Sequence, residues 1–248
     1  MAKIDYNINE EQGTLKWHRD RFGMFSSSRV GVLLQQNEKR DGFGTKAYAY
    51  IREILRDRRL DEDIVKDDEQ FSLYLKRIGK TNFAMDYGSE MESIANEQFA
   101  KLMNVEITPV GFIKKTGYYG GSPDGICFDK LPKTNIQKIG RPKFIVEHKN
   151  PTPDVYNEYL DKLKTVADIK KLEVSSQYKN CYYSQVQLNI HICGVEYGYL
   201  VITDYMFKKK QIIIKIEKDK EHIEKLIEKI KAANEIVENY LKKDKLKG

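Results

Sequence analysis

Gly-Gly-Ser-Pro-Asp-Gly-Ile at residues 120–126 and Phe-Ile-Val-Glu-His-Lys-Asn-Pro at residues 144–151 are the stretches on which the interpretation of this chain depends. The second begins with an apolar, β-branched run that is typical of a buried strand. Side chains two positions apart leave the same face of a strand, so Glu147 and Lys149 are predicted to point together. If the residues between the two stretches form a hairpin, Asp124 returns beside them. Two carboxylates and an ammonium on one patch suit a divalent metal ion and an activated water.

A simpler interpretation of the same residues is purely structural. A strand that ends in Glu-x-Lys is often an edge strand with a surface ion pair, and Asp favours turns on its own account. The combination favours the functional interpretation, because the charged residues follow an apolar run directly and Asp124 lies between Ser-Pro and Gly.

The composition indicates an intracellular, water-soluble protein. The chain has 248 residues, enough for one good-sized domain or two small ones, and 32% of them are charged. No apolar run approaches the ~20 residues of a membrane span, and the amino terminus lacks the apolar segment of a signal peptide. The three cysteines form no Cys-x-x-Cys pair, which argues against a zinc or iron–sulfur site.

The charge distribution points to an acidic partner. The net charge is +6, and lysines outnumber acidic residues in residues 205–248. A basic end of this kind fits an acidic polymer, and a solvated lysine-rich helix is the alternative.

The hydrophobic pattern predicts a single α/β domain over residues 1–248, with a core over about residues 14–217 and a basic final helix over about residues 218–243. Helices alternate with short strands, and no linker or internal repeat divides the chain. The predicted hairpins lie at residues 105–115 with 118–129 and at residues 197–203 with 211–217. The other predicted helices lie at residues 29–36, 47–58, 71–78 (a helix or the lead into one), 85–103, 154–172 and 175 or 176 to 192.

A second candidate site precedes the first in the chain. The only tryptophan, Trp17, is followed by Arg21 and by a serine cluster at residues 26–28. Ser28 is a plausible N-cap for the helix over residues 29–36. Free N–H groups at a helix start, hydroxyls and a nearby arginine suit a phosphate. A capped helix beside a core tryptophan is the alternative.

Two predicted helices carry polar residues next to their apolar positions. Glu92 borders the apolar stripe of the helix over residues 85–103, where it either compensates the helix dipole at the surface or leans into a cleft. In the helix that ends at residue 192, Tyr182, Gln185 and Asn189 share one face by their spacing. That face either covers a metal site or faces solvent.

Taken in their order along the chain, the sequence motifs resemble those of the lambda-exonuclease, or YqaJ-type, branch of the PD-(D/E)XK nucleases. The matching motifs are Trp-His-x-x-Arg-x-Gly before the serine cluster, Gly-x-x-x-Glu at residues 88–92, Ser-Pro-Asp-Gly, Glu-x-Lys-x-Pro, and Gln-x-Gln at residues 185–187. Five motifs in the family's order are far more specific than any one of them. One departure is Asn150, which stands where a Cys often follows the family's lysine.

The resemblance implies a restriction-endonuclease-like core, in which a central mixed β-sheet is flanked by helices. It also implies a site for Mg²⁺ or Mn²⁺, with two ions. The implied metal ligands are Asp124, Glu147, the main-chain carbonyl of His148, and Glu92 directly or through water. Lys149 is expected to orient the attacking water and help deprotonate it.

For the rest of the site, the resemblance implies that Arg21 and Ser28 bind a terminal 5′-phosphate and that the helix with Gln185 and Gln187 orders the metal site. The expected activity is a metal-dependent 5′-to-3′ exonuclease on double-stranded DNA ends that leaves 3′ overhangs for recombination. The expected assembly is a homotrimeric ring without a membrane anchor, in the cytoplasm of a phage host, with a single-strand annealing protein as partner.

Two other functions fit the same fold. One is an endonuclease or nickase, which has no use for a terminal-phosphate pocket at Arg21. The other is a DNA-binding protein without catalysis. The complete set of Glu92, Asp124, Glu147 and Lys149 argues against the latter, because a degenerate nuclease usually loses one member.

Overall fold

Residues 4–8, 10–37, 42–79, 83–130, 140–204 and 211–246 are described by the structure, a computed structural model of the chain. In the helix over residues 83–103 the side chains of residues 83–90 and of Glu92 lie outside that description. None of the described helices is long and apolar enough to cross a membrane.

Short strands alternate with helices along the described chain, as the sequence predicted. The strands are β1 (Phe25–Ser26), β2 (Ile113–Lys114), β3 (Tyr119–Gly121), β4 (Gly125–Phe128), β5 (Pro142–Lys149), β6 (Tyr197–Ile202) and β7 (Ile212–Glu217). The α-helices are α1 (Leu15–Asp20), α2 (Thr45–Arg58), α3 (Glu62–Lys66), α4 (Asp68–Arg77), α5 (Phe83–Met103), α6 (Pro153–Lys162), α7 (Val166–Ser175), α8 (Tyr182–Cys193) and α9 (Lys220–Lys245). A 3-10 helix spans Ser27–Leu34.

The larger sheet is mixed and has the strand order β4-β5-β6-β7. β5 runs antiparallel to β4 and parallel to β6, and β7 closes the sheet antiparallel to β6. Gly125 pairs with Val146, so Asp124, which precedes β4, lies at the end of the β4–β5 pairing next to Glu147. The predicted return of Asp124 to the strand is confirmed.

The smaller sheet, of order β1-β3-β2, connects the amino-terminal segment to the same region. β1 pairs parallel with β3, with Ser26 opposite Gly120. Because β3 ends at Gly121, only three residues before Asp124, the serine cluster comes near the start of β4.

Helix α8 lies at the centre of the molecule. Val186, Leu188, Ile190 and Ile192 are fully buried, and they belong to the main hydrophobic core with residues of β5, β6 and α9. Its polar residues Ser184, Gln185, Gln187 and Asn189 are also buried. The alternative of a solvent-facing surface helix is therefore wrong.

Several of the predicted helices start or divide differently in the structure. The one over residues 29–36 is the 3-10 helix, with Ser26 rather than Ser28 at the N-cap position. The one over residues 154–172 is divided into α6 and α7, because Thr165 and Asp168 form a capping box that starts a new helix.

The helix predicted from residue 175 or 176 begins instead at Tyr182. Gln177 and Tyr178 have left-handed φ angles of 51° and 58°, which a right-handed helix cannot contain. The final helix begins at Lys220, with Asp219 as its N-cap. The predicted boundary of a single domain at residues 1–248 stays a prediction.

Candidate active site

Glu147 and Lys149 lie on one face at the end of β5, as the sequence predicted. Nζ of Lys149 is 2.8 Å from Oε1 of Glu147. The side chain of Glu147 is 1% exposed and that of Lys149 is 21% exposed. The two residues thus form an internal ion pair, not the surface pair of the simpler interpretation.

Helix α8 covers Glu147 with amide donors. Nε2 of Gln185 donates to Oε1 of Glu147, and Nδ2 of Asn189 donates to Oε2 at 3.0 Å. The ring of Tyr182 has its centroid 5.7 Å from Nζ of Lys149. The face predicted from the spacing of Tyr182, Gln185 and Asn189 is therefore turned toward the pair on β5.

Burial is the largest single influence on the pKa of each residue of this pair. It raises the pKa of Glu147, although Lys149, Asn189 and Gln185 oppose it. Burial alone would lower the pKa of Lys149, but the charges of Glu147 and Asp124 outweigh it and raise that pKa. Lys149 is therefore a stable ammonium donor, whereas the charge of Glu147 is incompletely compensated and favours a further cation.

Asp124 is held at two points immediately before β4. Its Oδ2 accepts a hydrogen bond from the backbone N–H of His148 at 2.6 Å. Its main-chain carbonyl accepts one from Nδ2 of Asn96 at 2.8 Å. The residue is 7% exposed, and its charge acts on Lys149. Asp124 therefore faces the same region as the β5 pair.

The ring of His148 turns to the side of the sheet opposite Glu147 and Lys149, because successive side chains alternate along a strand. Burial and the charge of Lys149 lower its pKa to about 3, so the imidazole is neutral. The main-chain carbonyl of His148 points in a different direction from its ring. The carbonyl of Lys149 accepts from the N–H of Thr203 on the β6 side. Because successive carbonyls of a strand point to opposite edges, that of His148 points toward Asp124.

Glu92 lies in α5, and its side chain is outside the described part of the structure. Its place on the helix is nevertheless informative. Ala95, Asn96 and Phe99 are buried, and they follow Glu92 by three, four and seven residues, so all four share one helix face. That face meets Asp124 through Asn96. The role of Glu92 as a ligand stays a prediction.

The amino-terminal candidate site centres on Arg21. Its guanidinium lies 4.2 Å from the ring centroid of Trp17, and one of its NH2 groups donates to Oγ of Ser26 at 3.3 Å. Burial lowers the pKa of Arg21; Tyr50 opposes this shift, and the nearby charge of Arg29 adds a smaller contribution to it. Among the described residues no carboxylate forms an ion pair with Arg21. A partly buried cation in that position favours an anion.

Ser28 lies in the first turn of the 3-10 helix and is exposed. Its Oγ is 3.2 Å from Oγ of Ser26, which in turn contacts Arg21. Arg29, the next residue, is bound by both carboxylate oxygens of Glu53. The predicted pair of Arg21 and Ser28 is thus brought together through Ser26.

Gln187 lies on a different side of α8 from Gln185. Its Nε2 donates to the carbonyl of Glu217 at 2.8 Å, and its Oε1 accepts from the N–H of Asp219 at 2.9 Å. Two residues along a helix are separated by about 200°, so both glutamines cannot face β5. Gln187 anchors α8 to the junction of β7 and α9.

Sequence reasoning missed Asn96 as a contributor to this site. A buried asparagine in a helix interior needs hydrogen-bond partners, and the signal available was its position four residues after Glu92. The spacing of Asn189 from Gln185 was recognised, but only the structure shows that its amide binds Glu147.

Asp124 and Glu147 suit a divalent cation by their donor chemistry. Carboxylate oxygens are the hard donors that Mg²⁺ and Mn²⁺ prefer. A carboxylate has about four lone-pair positions, and three donors bind Glu147, so it keeps capacity for a metal. In the described part of the chain no three His, Cys, Asp or Glu side chains cluster as a metal site. Further protein ligands would have to be the His148 carbonyl or Glu92.

A family model described as the YqaJ-like viral recombinase domain matches residues 16–196. The match includes both candidate sites, from Trp17 to Gln187. No curated protein sequence matches the chain significantly.

Solved structures with a similar fold cover nearly the whole chain. An alkaline exonuclease, LHK-Exo from Laribacter hongkongensis, has a TM-score of 0.64 at 20% identity, over 94% of this chain and 99% of its own. Its complex with dAMP has the same identity and coverage and a TM-score of 0.63. A phage-related exonuclease from Haemophilus somnus 129PT has a TM-score of 0.59 at 11% identity, over 89% of this chain and 96% of its own. The predicted PD-(D/E)XK fold is thereby confirmed.

Proposed function

The chain belongs to the YqaJ-like viral recombinase family, and from that membership we propose that it is a metal-dependent 5′-to-3′ exonuclease on double-stranded DNA. The observation that carries the proposal is the buried pair of Glu147 and Lys149 next to Asp124. A carboxylate buried at this depth is costly unless it is paired or binds a cation. The names of the similar structures, which are exonucleases, agree with this assignment.

In the proposed reaction, Asp124, Glu147 and the His148 carbonyl would hold Mg²⁺ or Mn²⁺, and Glu92 would be a further ligand of a two-ion site. When bound, such ions neutralise charge on the phosphodiester and favour formation of a nucleophile from water. Lys149 orients the attacking water by donating from its ammonium, which the neighbouring carboxylates keep charged. Gln185 and Asn189 fix the orientation of Glu147.

Arg21 gives the enzyme its end specificity in this proposal. A guanidinium makes paired, charge-assisted bonds to a phosphate, and the hydroxyls of Ser26 and Ser28 lie beside it. A phosphate at the 5′ end of one strand would be held there. Hydrolysis of that strand leaves the other strand as a 3′ overhang, which is a substrate for recombination.

The proposal includes a homotrimeric ring around the DNA and a single-strand annealing protein that receives the overhang in the host cytoplasm. Lysines of α9 such as Lys231, Lys242 and Lys243 are exposed and supply positive charge for a polyanion. The lysine run at residues 208–210, which belongs to the same basic end of the chain, lies outside the described residues.

Digestion of linear and covalently closed circular DNA, each with Mg²⁺ and with EDTA, tests the proposal. We expect cleavage only of linear DNA and only with the metal. Cutting of closed circles would replace the exonuclease with an endonuclease or nickase. DNA binding without cleavage in any condition would indicate a non-catalytic protein.

A further inference from the structure

Asn96 occupies an unusual position for an asparagine. It lies in the interior of α5, is 8% exposed, and shares a buried face with Ala95 and Phe99. Asparagine is a weaker helix former than alanine, and a buried amide is unfavourable unless it is hydrogen-bonded. Local helix stability therefore does not explain this residue.

Both ends of the Asn96 amide form hydrogen bonds, one with Asp124 just before β4 and the other with His148 in β5. Nδ2 donates to the main-chain carbonyl of Asp124 at 2.8 Å. Oδ1 lies 2.9 Å from Nε2 of His148. A carbonyl oxygen only accepts hydrogen bonds, so the amide nitrogen must face Asp124. Oδ1 then faces His148, and Nε2 must carry the ring hydrogen.

These bonds complete a cycle among three elements. The backbone N–H of His148 donates to Oδ2 of Asp124 at 2.6 Å, so Asn96, Asp124 and His148 contact one another in pairs. The cycle fixes the peptide that follows Asp124, the rotation of the Asp124 carboxylate and the position of β5 at His148. Through Asn96, the helix that carries Glu92 is hydrogen-bonded both to Asp124 and to β5.

We propose that Asn96 is a positioning residue for the metal site, holding the Asp124 carboxylate and the His148 carbonyl in convergent orientations. The inference rests on the proposed metal-dependent function. In this proposal Asn96 acts through Asp124 and His148 and is not itself a metal ligand. Hydrogen-bond partners of metal ligands typically contribute 10–100-fold to metal affinity, and we expect an effect of that order here.

Asn96→Leu tests the role, because leucine has the same branching at Cγ and suits a helix but forms neither hydrogen bond. We expect Mn²⁺ binding, measured by titration calorimetry without DNA, to weaken about 10–100-fold. The metal concentration for half-maximal cleavage should rise by a similar factor. Asn96→Asp is the second variant: an ionised carboxylate still accepts from His148 but cannot donate to the Asp124 carbonyl. It should also bind Mn²⁺ less tightly.

Gln98→Ala is the matched control. The Gln98 amide lies on the exposed side of the same helix, where Oε1 accepts a hydrogen bond from Gln211. Removal of this amide should leave the Mn²⁺ affinity unchanged. Thermal unfolding identifies any variant that is not folded. If folded Asn96 variants bind Mn²⁺ as tightly as the wild type, the residue is structural only and this inference is overturned. If the wild type itself binds no Mn²⁺, the proposed function fails together with it.

Discussion

Gly121 of β3 lies directly against Asn189 of α8. A β-carbon at position 121 would come within 2.2 Å of Oδ1 of Asn189 and within 2.8 Å of Oγ of Ser27. Asn189 binds Glu147 through its amide nitrogen, and Ser27 begins the 3-10 helix that carries Ser28. The absence of a side chain at Gly121 therefore allows the carboxylate site and the arginine site to approach each other.

Gly121→Ala should impair both activity and stability. The added methyl group forces Asn189 away from Glu147, and overpacking of this kind costs about 1–3 kcal/mol in the free energy of unfolding. Urea denaturation and exonuclease rates measure the two effects. Gly117→Ala is the control, because a β-carbon at position 117 would have open space around it, with no other group within 4 Å. If Gly121→Ala had the same stability and exonuclease rate as the wild type, the close approach of the two sites would not be needed for either property.

Lys149→Met should reduce cleavage by at least about 100-fold, the lower range for loss of a proton-transfer or water-positioning group. Methionine keeps most of the apolar stem, and Glu147 can take up a proton, so the fold should persist. Glu147→Gln and Asp124→Asn should have effects at least as large, since each removes a proposed metal ligand. Lys162→Met, on the exposed face of α6, should be neutral. Near-normal cleavage in any of the three site variants would mean that the site is elsewhere.

Arg21→Gln should lower the rate chiefly on DNA with a 5′-phosphate. The guanidinium provides a charge that attracts a phosphate, and a 5′-hydroxyl end has no charge for it to bind. The ratio of rates on the two kinds of end should therefore fall toward one. Arg52→Gln, an exposed arginine of α2, is the control. If the ratio in Arg21→Gln equals that of the wild type, Arg21 serves the packing of Trp17 and not the DNA end.

The site on β5 was predictable because it depends on local rules. Alternation along a strand places Glu147 and Lys149 together, and the β4–β5 hairpin returns Asp124 over a short distance in sequence. The spacing of Gln185 and Asn189 likewise gave the correct face of α8. In each case a few consecutive or regularly spaced residues determine the geometry.

Features that depend on tertiary packing were not predictable. Ile94 and Leu102 fit an apolar stripe on α5, yet both are exposed, and the buried face contains Asn96 instead. The left-handed residues Gln177 and Tyr178 have no glycine to signal them. Nothing local indicates that Asn96 will meet Asp124 and His148, because those contacts join residues 28 and 52 positions away.

The ring proposed for this protein predicts its mass in solution. Sedimentation equilibrium should give a value near three times 29.0 kDa. DNA affinity should fall steeply with salt, because a lysine-lined channel binds phosphates by releasing counterions. A monomer that binds DNA at micromolar concentration would contradict the ring and leave the proposed chemistry intact.

His222 should make folding stability decrease on mild acidification. Its Nε2 lies 2.9 Å from Oγ of Ser184, and its ring packs against Tyr183. Burial lowers its pKa to about 4; the charge of Asp219 opposes this, and two nearby lysines assist it. An unfolded histidine titrates near pH 6.5. Between about pH 6.5 and pH 4 the unfolded chain therefore binds a proton that the folded chain does not, so stability falls as the pH falls.

His222→Gln isolates this contribution, because glutamine offers a polar group to Ser184 but does not titrate. Urea unfolding of both proteins at pH 7.5, 6.0 and 5.0 should show a smaller loss of stability in the variant than in the wild type. His191, whose pKa burial also lowers to about 4, acts in the same direction in both proteins and cancels in the difference. The nearby carboxyl of Glu173, whose pKa is raised by burial, acts in the opposite direction, so the comparison must use the difference between the proteins and not the wild-type curve alone. If both proteins lost the same amount of stability on acidification, His222 would be protonated in the folded state at the same pH as in the unfolded chain.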